Sequence, residues 1–217
     1  MGEFSLAPEQ QRTLVQLKPL LDKYHLYLAG GGAVAVHLEH RQSLDIDLFS
    51  QNSHLDLVGL RDELVVTLSD VRVVGLTDAT LRLEVSGESV DIVKYPYPLL
   101  EPPLPGPEGV LVAGMRDLAA MKLSAVSQRG IQRDFWDLYV LIQAGIDLSE
   151  ACDAYLARFG GSHSDLYHVL RALTYFDDAE RDSVMPRGMT ATLWRTIREY
   201  FEHEAPSELG RRLNYQR

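Results

Sequence analysis

Three consecutive glycines, Gly30, Gly31 and Gly32, precede the short segment L-D-I-D-L-F at positions 44–49, and this combination constrains the chain more than any other feature. On a β-strand Asp45 and Asp47 stand at i and i+2, so their carboxylates share one face while Ile46 and Leu48 take the other. Two like charges so close repel unless they are solvated or share a divalent cation, which reverses the local electrostatics. Magnesium (or manganese) suits such a pair, being a hard ion that takes one or two carboxylates and completes its shell with water and substrate phosphates. Leu26, Tyr27, Leu28 and Ala29 read as a short buried strand, and Ala33, Val34, Val36, His37 and Leu38 carry an apolar stripe at helical spacing. The glycines therefore fall at a strand-to-helix turn, where backbone can approach a ligand closely and the first free helix N–H groups can receive a phosphate. Ser43 offers a hydroxyl, and Arg41 a positive charge, to the same phosphate.

Around this pair the chain alternates helix and strand. Leu14, Leu17, Leu20 and Leu21 predict an opening helix near 8–23, with Ser5 and Pro8 as start signals and Pro19 as a point where it kinks or ends. Leu57, Leu60, Leu64 and Val65 predict a helix over 54–68, preceded by Ser53. Strands follow at 71–76, 80–85 and 89–93, with Ser86-Gly87-Glu88 as the turn between the last two. The order predicts an α+β (α/β) fold with a small mixed sheet flanked by helices. The last strand, S-V-D-I-V, sets Asp91 among apolar neighbours, where a lone aspartate is costly to bury unless paired or metal-bound. Asp91 is therefore the candidate third carboxylate. Glu84, alternating with Arg82 on a solvated face, and Glu88, in the turn, have simpler structural explanations.

From Tyr95 to Gly109 six prolines rule out a continuous sheet or a long helix, and the segment reads as an extended crossing. It divides the chain into a core at 1–107 and a helical half at 108–217, with helices predicted over 110–129, 131–144, 148–159, 164–176 and 190–203. The single cysteine, Cys152, excludes an internal disulfide and a cysteine-based zinc cluster, and reads as core packing on its helix. No apolar run reaches the length of a membrane span and the first residues lack the pattern of a signal peptide, so the expectation is a cytoplasmic protein. A net charge of −10 argues against a broad basic surface for nucleic acid, since phosphate contacts supply most non-specific affinity. A local cationic site remains open, because Arg116, Lys122, Arg129 and Arg133 cluster in one segment.

That segment, R-D-L-A-A-M-K-L-S-A-V-S-Q-R-G-I-Q-R-D-F-W-D-L-Y, is the second informative stretch. Lys122 and Arg129 lie seven positions apart on one side of a helix, and Asp134 and Asp137 share a face of the next. Read plainly, these are solvated charges, with Arg133 and Asp137 forming an ordinary i,i+4 pair.

Taken together, the glycine turn, R-x-S-x-D-I-D-L-F, and Lys122 followed by R-x-x-x-R-D-x-x-D-L-Y resemble the AbiEii/AbiGii toxin family, within the nucleotidyltransferases that share a DNA polymerase β-like core. The resemblance spans residues 28–139. It implies that Gly31, Gly32 and Ser43 match the nucleotide-phosphate loop, Asp45 and Asp47 the metal ligands, Lys122 the lysine at the triphosphate, and Asp134 the final motif aspartate. Where many relatives have Gly-Ser, this chain has Gly31-Gly32, which leaves backbone donors alone at that point.

By the same resemblance, the activity is two-metal transfer of a nucleoside monophosphate from an NTP to an acceptor hydroxyl, with Asp91 completing the acceptor-side ion or serving as base. The acceptor is expected to be RNA, such as the 3′ end of tRNA. The protein would be the toxin half of a toxin–antitoxin or phage-defence pair, with an antitoxin as partner. AMP transfer to a protein or to a small molecule such as an aminoglycoside is the alternative within the same chemistry, and a non-catalytic nucleotide sensor is the alternative outside it.

Overall fold

The computed structural model describes residues 6–160, 163–181 and 186–214. The chain divides into two compact units, Met1–Gly114 and Met115–Arg217, each taken here by itself.

The first unit carries a seven-stranded mixed sheet. Its elements are α1 (Pro8–Lys23), β1 (Tyr27–Leu28), α2 (Gly30–Leu38), β2 (Asp45–Ser50), α3 (Leu57–Thr67), β3 (Val71–Leu76), β4 (Thr80–Val85), β5 (Glu88–Lys94), β6 (Leu104–Pro105), a single 3-10 turn (Pro107–Gly109) and β7 (Leu111–Val112). The strand order is β3-β4-β5-β2-β1-β7-β6. β2 pairs with β5, and β1 with β7, in parallel; the other pairs are antiparallel. Alternation along β2, β4 and β5 buries Ile46, Leu48, Leu81, Leu83, Val90 and Ile92 on one face. Leu14, Leu17, Leu20 and Leu21 of α1 and Leu57, Leu60 and Leu64 of α3 are buried with them. The two helices are fastened to each other by Glu63, which accepts from Lys23 at 2.6 Å and from the Tyr24 hydroxyl at 2.5 Å.

Pro19 neither ends nor shortens α1, which runs on to Lys23. The apolar stripe decides this, because burial of Leu20 and Leu21 outweighs the one helix bond that proline removes. Ser5 lies outside the described residues. α3 begins at Leu57 under a cap by Asp56, whose carboxylate accepts from Val58 and Gly59 N–H, so the start falls later than Ser53 predicts. Ser86 and Gly87, both at positive φ, join β4 to β5 through the expected tight hairpin. The proline-rich segment does rejoin the sheet: Leu104–Pro105 pairs with Leu111–Val112 as an edge strand, a position that tolerates a residue without an N–H. Residues 110–114 thus belong to the sheet unit, and the helix expected from 110 begins at Met115.

The second unit is helical: α4 (Met115–Gln128), α5 (Gln132–Gln143), α6 (Leu148–Phe159), α7 (His163–Ala172), α8 (Asp177–Arg181) and α9 (Ala191–Asn214). α4 packs on α5, α6 and α7. Phe135 sits among Phe176, Trp194 and Phe201, with ring centroids 5.2–5.8 Å away. α9 continues past the predicted end and through Pro206 because Arg212, near its end, donates to Ser149 O at 2.8 Å and pairs with Asp153 of α6. Cys152 is buried, and burial pushes its thiol up to about 12. Among the described residues no helix is long and apolar enough to cross a membrane.

Within this unit Asp117 and Arg158 form an ion pair with no solvent exposure on either side chain. Removing one member of such a pair strands a buried charge. Arg158→Leu should therefore lower stability by about 3–5 kcal/mol, while Asp117→Leu combined with Arg158→Leu should cost less than either single change, as read from urea unfolding.

Candidate active site

The glycine turn and the carboxylate strand are built against each other. The Ala29 N–H donates to Asp47 O at 3.0 Å, closing the start of α2 onto β2. Gly30 has φ +62°, and a Cβ there would collide with the Asp47 carboxylate. Both facts require glycine: the left-handed backbone disfavours a side chain, and the carboxylate occupies the space. Asp47 thus lies at the N-terminus of α2, where the helix dipole favours negative charge. Gly31 and Gly32 are buried within the first turn. At Gly32 a Cβ would meet Asp45 O, Leu6 and Ser43 at 3.6 Å, an ordinary contact, so of these two glycines Gly30 is the one this turn cannot replace. Its positive φ is the one signal the triplet hid, since sequence does not say which of three glycines turns the chain.

Ser43 is buried and holds the loop, donating from its hydroxyl to Asp45 O at 3.0 Å, while its carbonyl accepts from Gln10 at 3.2 Å. Arg41 is also buried and donates to Gln42 O at 3.1 Å. The structure therefore gives both residues work in shaping the loop that delivers Asp45.

β2 alternates as expected: Asp45, Asp47 and Phe49 are half-buried on one face, with Ile46 and Leu48 in the core. In the parallel pairing with β5, Asp47 stands beside Asp91, and in the antiparallel pairing beyond, Asp91 stands beside Arg82. Asp91 lies 3.6 Å from the Arg82 guanidinium. Burial pushes its carboxyl up, Arg82 draws it down, and the nearby charge of Asp45 pushes it up again, leaving it above its ordinary value. Glu84 faces Arg72 on the exposed part of β4, as its solvated reading expects, and Glu88 opens β5.

Among the described residues no group of three or more His, Cys, Asp or Glu side chains stands arranged to hold a metal ion. The donor set nevertheless fits a hard divalent cation. Asp45 and Asp47 supply two carboxylates on one face, and an ion of this kind takes its remaining oxygens from water and substrate phosphate.

In the helical unit the second motif forms a closed cluster. Lys122 is 4% exposed, with its ammonium 3.2 Å from Asp134 and 2.7 Å from Asp137. Arg129 grips Asp134 with two bonds, at 2.7 and 2.9 Å. The reading of Lys122, Asp134 and Asp137 as solvated charges is corrected by their burial, and Lys122 is a partner of Asp137. Sequence spacing compares residues on one helix, whereas Lys122 and Asp137 meet across α4 and α5.

Two outcomes follow from these contacts. Gly30→Ala should destabilise the protein by at least about 1 kcal/mol through its left-handed backbone alone, with the carboxylate collision adding to it, whereas Gly32→Ala should stay within about 0.5 kcal/mol; thermal unfolding separates them. For Asp134, burial pushes the carboxyl up, but Lys122 and Arg129 outweigh it and hold the group below its ordinary value. Its contribution is present above the aspartate's unfolded pKa and is lost as pH falls through the depressed folded one. Asp134→Asn should cost about 3–5 kcal/mol near neutrality and flatten this acid-side loss, measured by urea unfolding from roughly pH 3 to pH 7.

Comparison with known proteins places this arrangement. A family model described as "Nucleotidyl transferase AbiEii toxin, Type IV TA system" matches residues 12–212. An uncharacterized protein of Aquifex aeolicus (strain VF5) is 30% identical over 210 residues, covering 94% of this chain and 98% of the relative. The nucleotidyltransferase toxin MenT4 from Mycobacterium tuberculosis H37Rv is similar with a TM-score of 0.54 at 14% identity, over 92% of this chain and 86% of that one. The antibiotic-resistance factor ANT(2'')-Ia is similar with a TM-score of 0.53 at 16% identity, over 73% of this chain and 95% of that one. The two structural likenesses bear on the fold, whose mixed sheet and helices are of the nucleotidyltransferase type. The family match extends over both units, and with the glycine turn and the Asp45/Asp47 strand inside it, this chain belongs to the AbiEii family of nucleotidyltransferase toxins.

Proposed function

We propose that the protein is a divalent-metal-dependent enzyme that transfers a nucleoside monophosphate from an NTP to the 3′ hydroxyl of an RNA such as tRNA. It acts in the cytoplasm as a toxin restrained by a cognate antitoxin. The observation that carries this reading is the line of carboxylates on one sheet face, Asp45 and Asp47 on β2 with Asp91 beside Asp47 on β5, at the N-terminus of α2.

Asp45 and Asp47 would hold magnesium or manganese together with the phosphates of the NTP. A bound divalent cation supplies charge neutralisation at the reacting phosphate and eases ionisation of the attacking hydroxyl. The first free N–H groups of α2 orient the phosphate chain. Asp91 receives the proton of the acceptor hydroxyl, a role that its raised pKa supports. The acceptor oxygen then bonds to the α-phosphorus, the bond from that phosphorus to the bridging oxygen breaks, and pyrophosphate departs. Lys122, which the family pattern matches to the triphosphate lysine, shares its charge with Asp134 and Asp137. We assign all three to organising the α4–α5 pair, since an ammonium between two carboxylates retains little field for a phosphate.

A second reading, AMP transfer to a small molecule such as an aminoglycoside, draws on the net charge of −10, which suits a cationic acceptor better than RNA, and on the likeness to an antibiotic-resistance factor. Incubation with each α-labelled NTP, magnesium and total tRNA, with parallel reactions on aminoglycosides and on cell protein, separates the two. Label in tRNA is the expected result, and label confined to an aminoglycoside or a protein would refute the RNA assignment. Asp45→Asn and Asp47→Asn should each reduce transfer on the order of a thousandfold or more, the several kcal/mol that metal stabilisation supplies, while both variants still unfold cooperatively.

A further inference from the structure

Beyond the carboxylates the same sheet face carries a graded series of aromatic rings, all within the first unit. Tyr27, buried, stacks on Phe49 with centroids 6.2 Å apart; Phe49 meets Tyr95 edge-on at 5.3 Å; Tyr95 meets Tyr97 at 4.8 Å. Tyr97 is 38% exposed. Phe49 follows Asp47 by two residues on the same face of β2, hence about 7 Å along the strand, and Tyr95 and Tyr97 carry the ring series on from it.

The backbone that presents these rings is fixed before any ligand arrives. Tyr95 N–H donates to Ser50 O at 2.8 Å, at the end of the β2–β5 pair, and Gln51 donates to Tyr97 O at 3.3 Å. Tyr97 N–H turns back to Tyr95 O at 2.7 Å around Pro96. Pro96 and Pro98 fix their own φ and restrict Tyr95 and Tyr97, the residues before them, to extended backbone. A rigid strap holding an exposed ring loses little entropy on binding. It also recognises through a π-face, which every base presents.

We infer that Phe49, Tyr95 and Tyr97 form a stacking platform for a nucleobase next to the Asp45/Asp47 pair, Tyr97 being the ring on which the base lies. This rests on the transferase reading above, and it gives the acidic enzyme a way to hold single-stranded RNA by its terminal base. The base belongs either to the 3′ end of the acceptor or to the incoming NTP, and the two sources share one chemistry.

Binding, measured in the absence of turnover, tests the platform. The probes are a 5′-labelled single-stranded RNA, the same RNA with an abasic 3′-terminal nucleotide, and a fluorescent ATP analogue, each titrated by anisotropy against the full chain and its Tyr97→Ala, Tyr97→Leu and Tyr97→Trp variants. Tyr97→Ala and Tyr97→Leu should weaken one nucleobase probe about tenfold to a hundredfold, the loss of one base–aromatic stack, while Tyr97→Trp retains affinity. If the affected probe is the RNA, the variants should also cease to distinguish it from its abasic form, which assigns the base to the acceptor. Loss with the ATP analogue alone assigns it to the incoming nucleotide. Equal affinities of wild type, Tyr97→Ala and Tyr97→Leu for every probe would overturn the platform, as would recovery of affinity with Tyr97→Leu, since that marks packing without stacking. The transfer assay stands apart: labelled product with unchanged binding sinks the platform alone, and base-dependent binding with no product under any acceptor sinks the transferase assignment alone.

Discussion

The first unit is organised around the junction where the Asp47 carboxylate fills the space that a Cβ on Gly30 would need. It allows the backbone to leave β1, reverse through a left-handed residue and start α2 with its positive end on a carboxylate. The Ala29–Asp47 bond fixes the same junction from the backbone side. The rest of the site inherits its position from there. Ser43 and Gln10 shape the loop that returns to β2, and the parallel β2–β5 pairing sets Asp91 level with Asp47. Three carboxylates share one face; burial raises the pKa of Asp91, Arg82 draws it down, and the charge of Asp45 adds a smaller push upward.

The charges of the helical unit obey a different logic. Around Asp134 and Asp137 burial is complete, and each carboxylate is met by a cation at short range: Lys122 for both, Arg129 for Asp134. Asp117 and Arg158 repeat the pattern between α4 and α6. Groups matched in this way are stable as they stand and costly to separate, which suits the interior of a helical bundle. The carboxylates of β2 and β5 are instead half-buried, side by side on one face of the sheet. Two sets of charged residues that look alike in the sequence thus divide into one sealed inside a helical bundle and one lying along a sheet face.

Much of the architecture was readable from pattern. The strands at 71–76 and 80–85, the Asp45–Ser50 strand, the helix at 148–159 and the Ser86-Gly87 hairpin all follow from local periodicity and turn chemistry. The errors came where distant parts of the chain override local preference. Pro19 reads as a point where the first helix kinks or ends, and the last helix reads as ending at 203, yet both run on because packing and Arg212 hold the turns beyond. The proline-rich segment reads as excluded from the sheet, yet an edge offers Pro105 a place that local sequence cannot announce. Lys122 reads as a solvated cation, and only packed neighbours make it a buried one.

The sequence by itself determined that Asp45 and Asp47 share a face, that glycine must turn the chain before α2, and that the chain carries the AbiEii pattern, because period and backbone permissiveness are local properties. Tertiary structure decided the rest: that a Cβ at Gly30 would meet Asp47, that Asp91 stands beside Asp47, that Lys122 is claimed by Asp134 and Asp137, and that Phe49, Tyr95 and Tyr97 meet ring to ring. Each of these depends on strand register or helix docking between residues far apart in the chain, and a one-residue slip in register would turn the whole set to the opposite face.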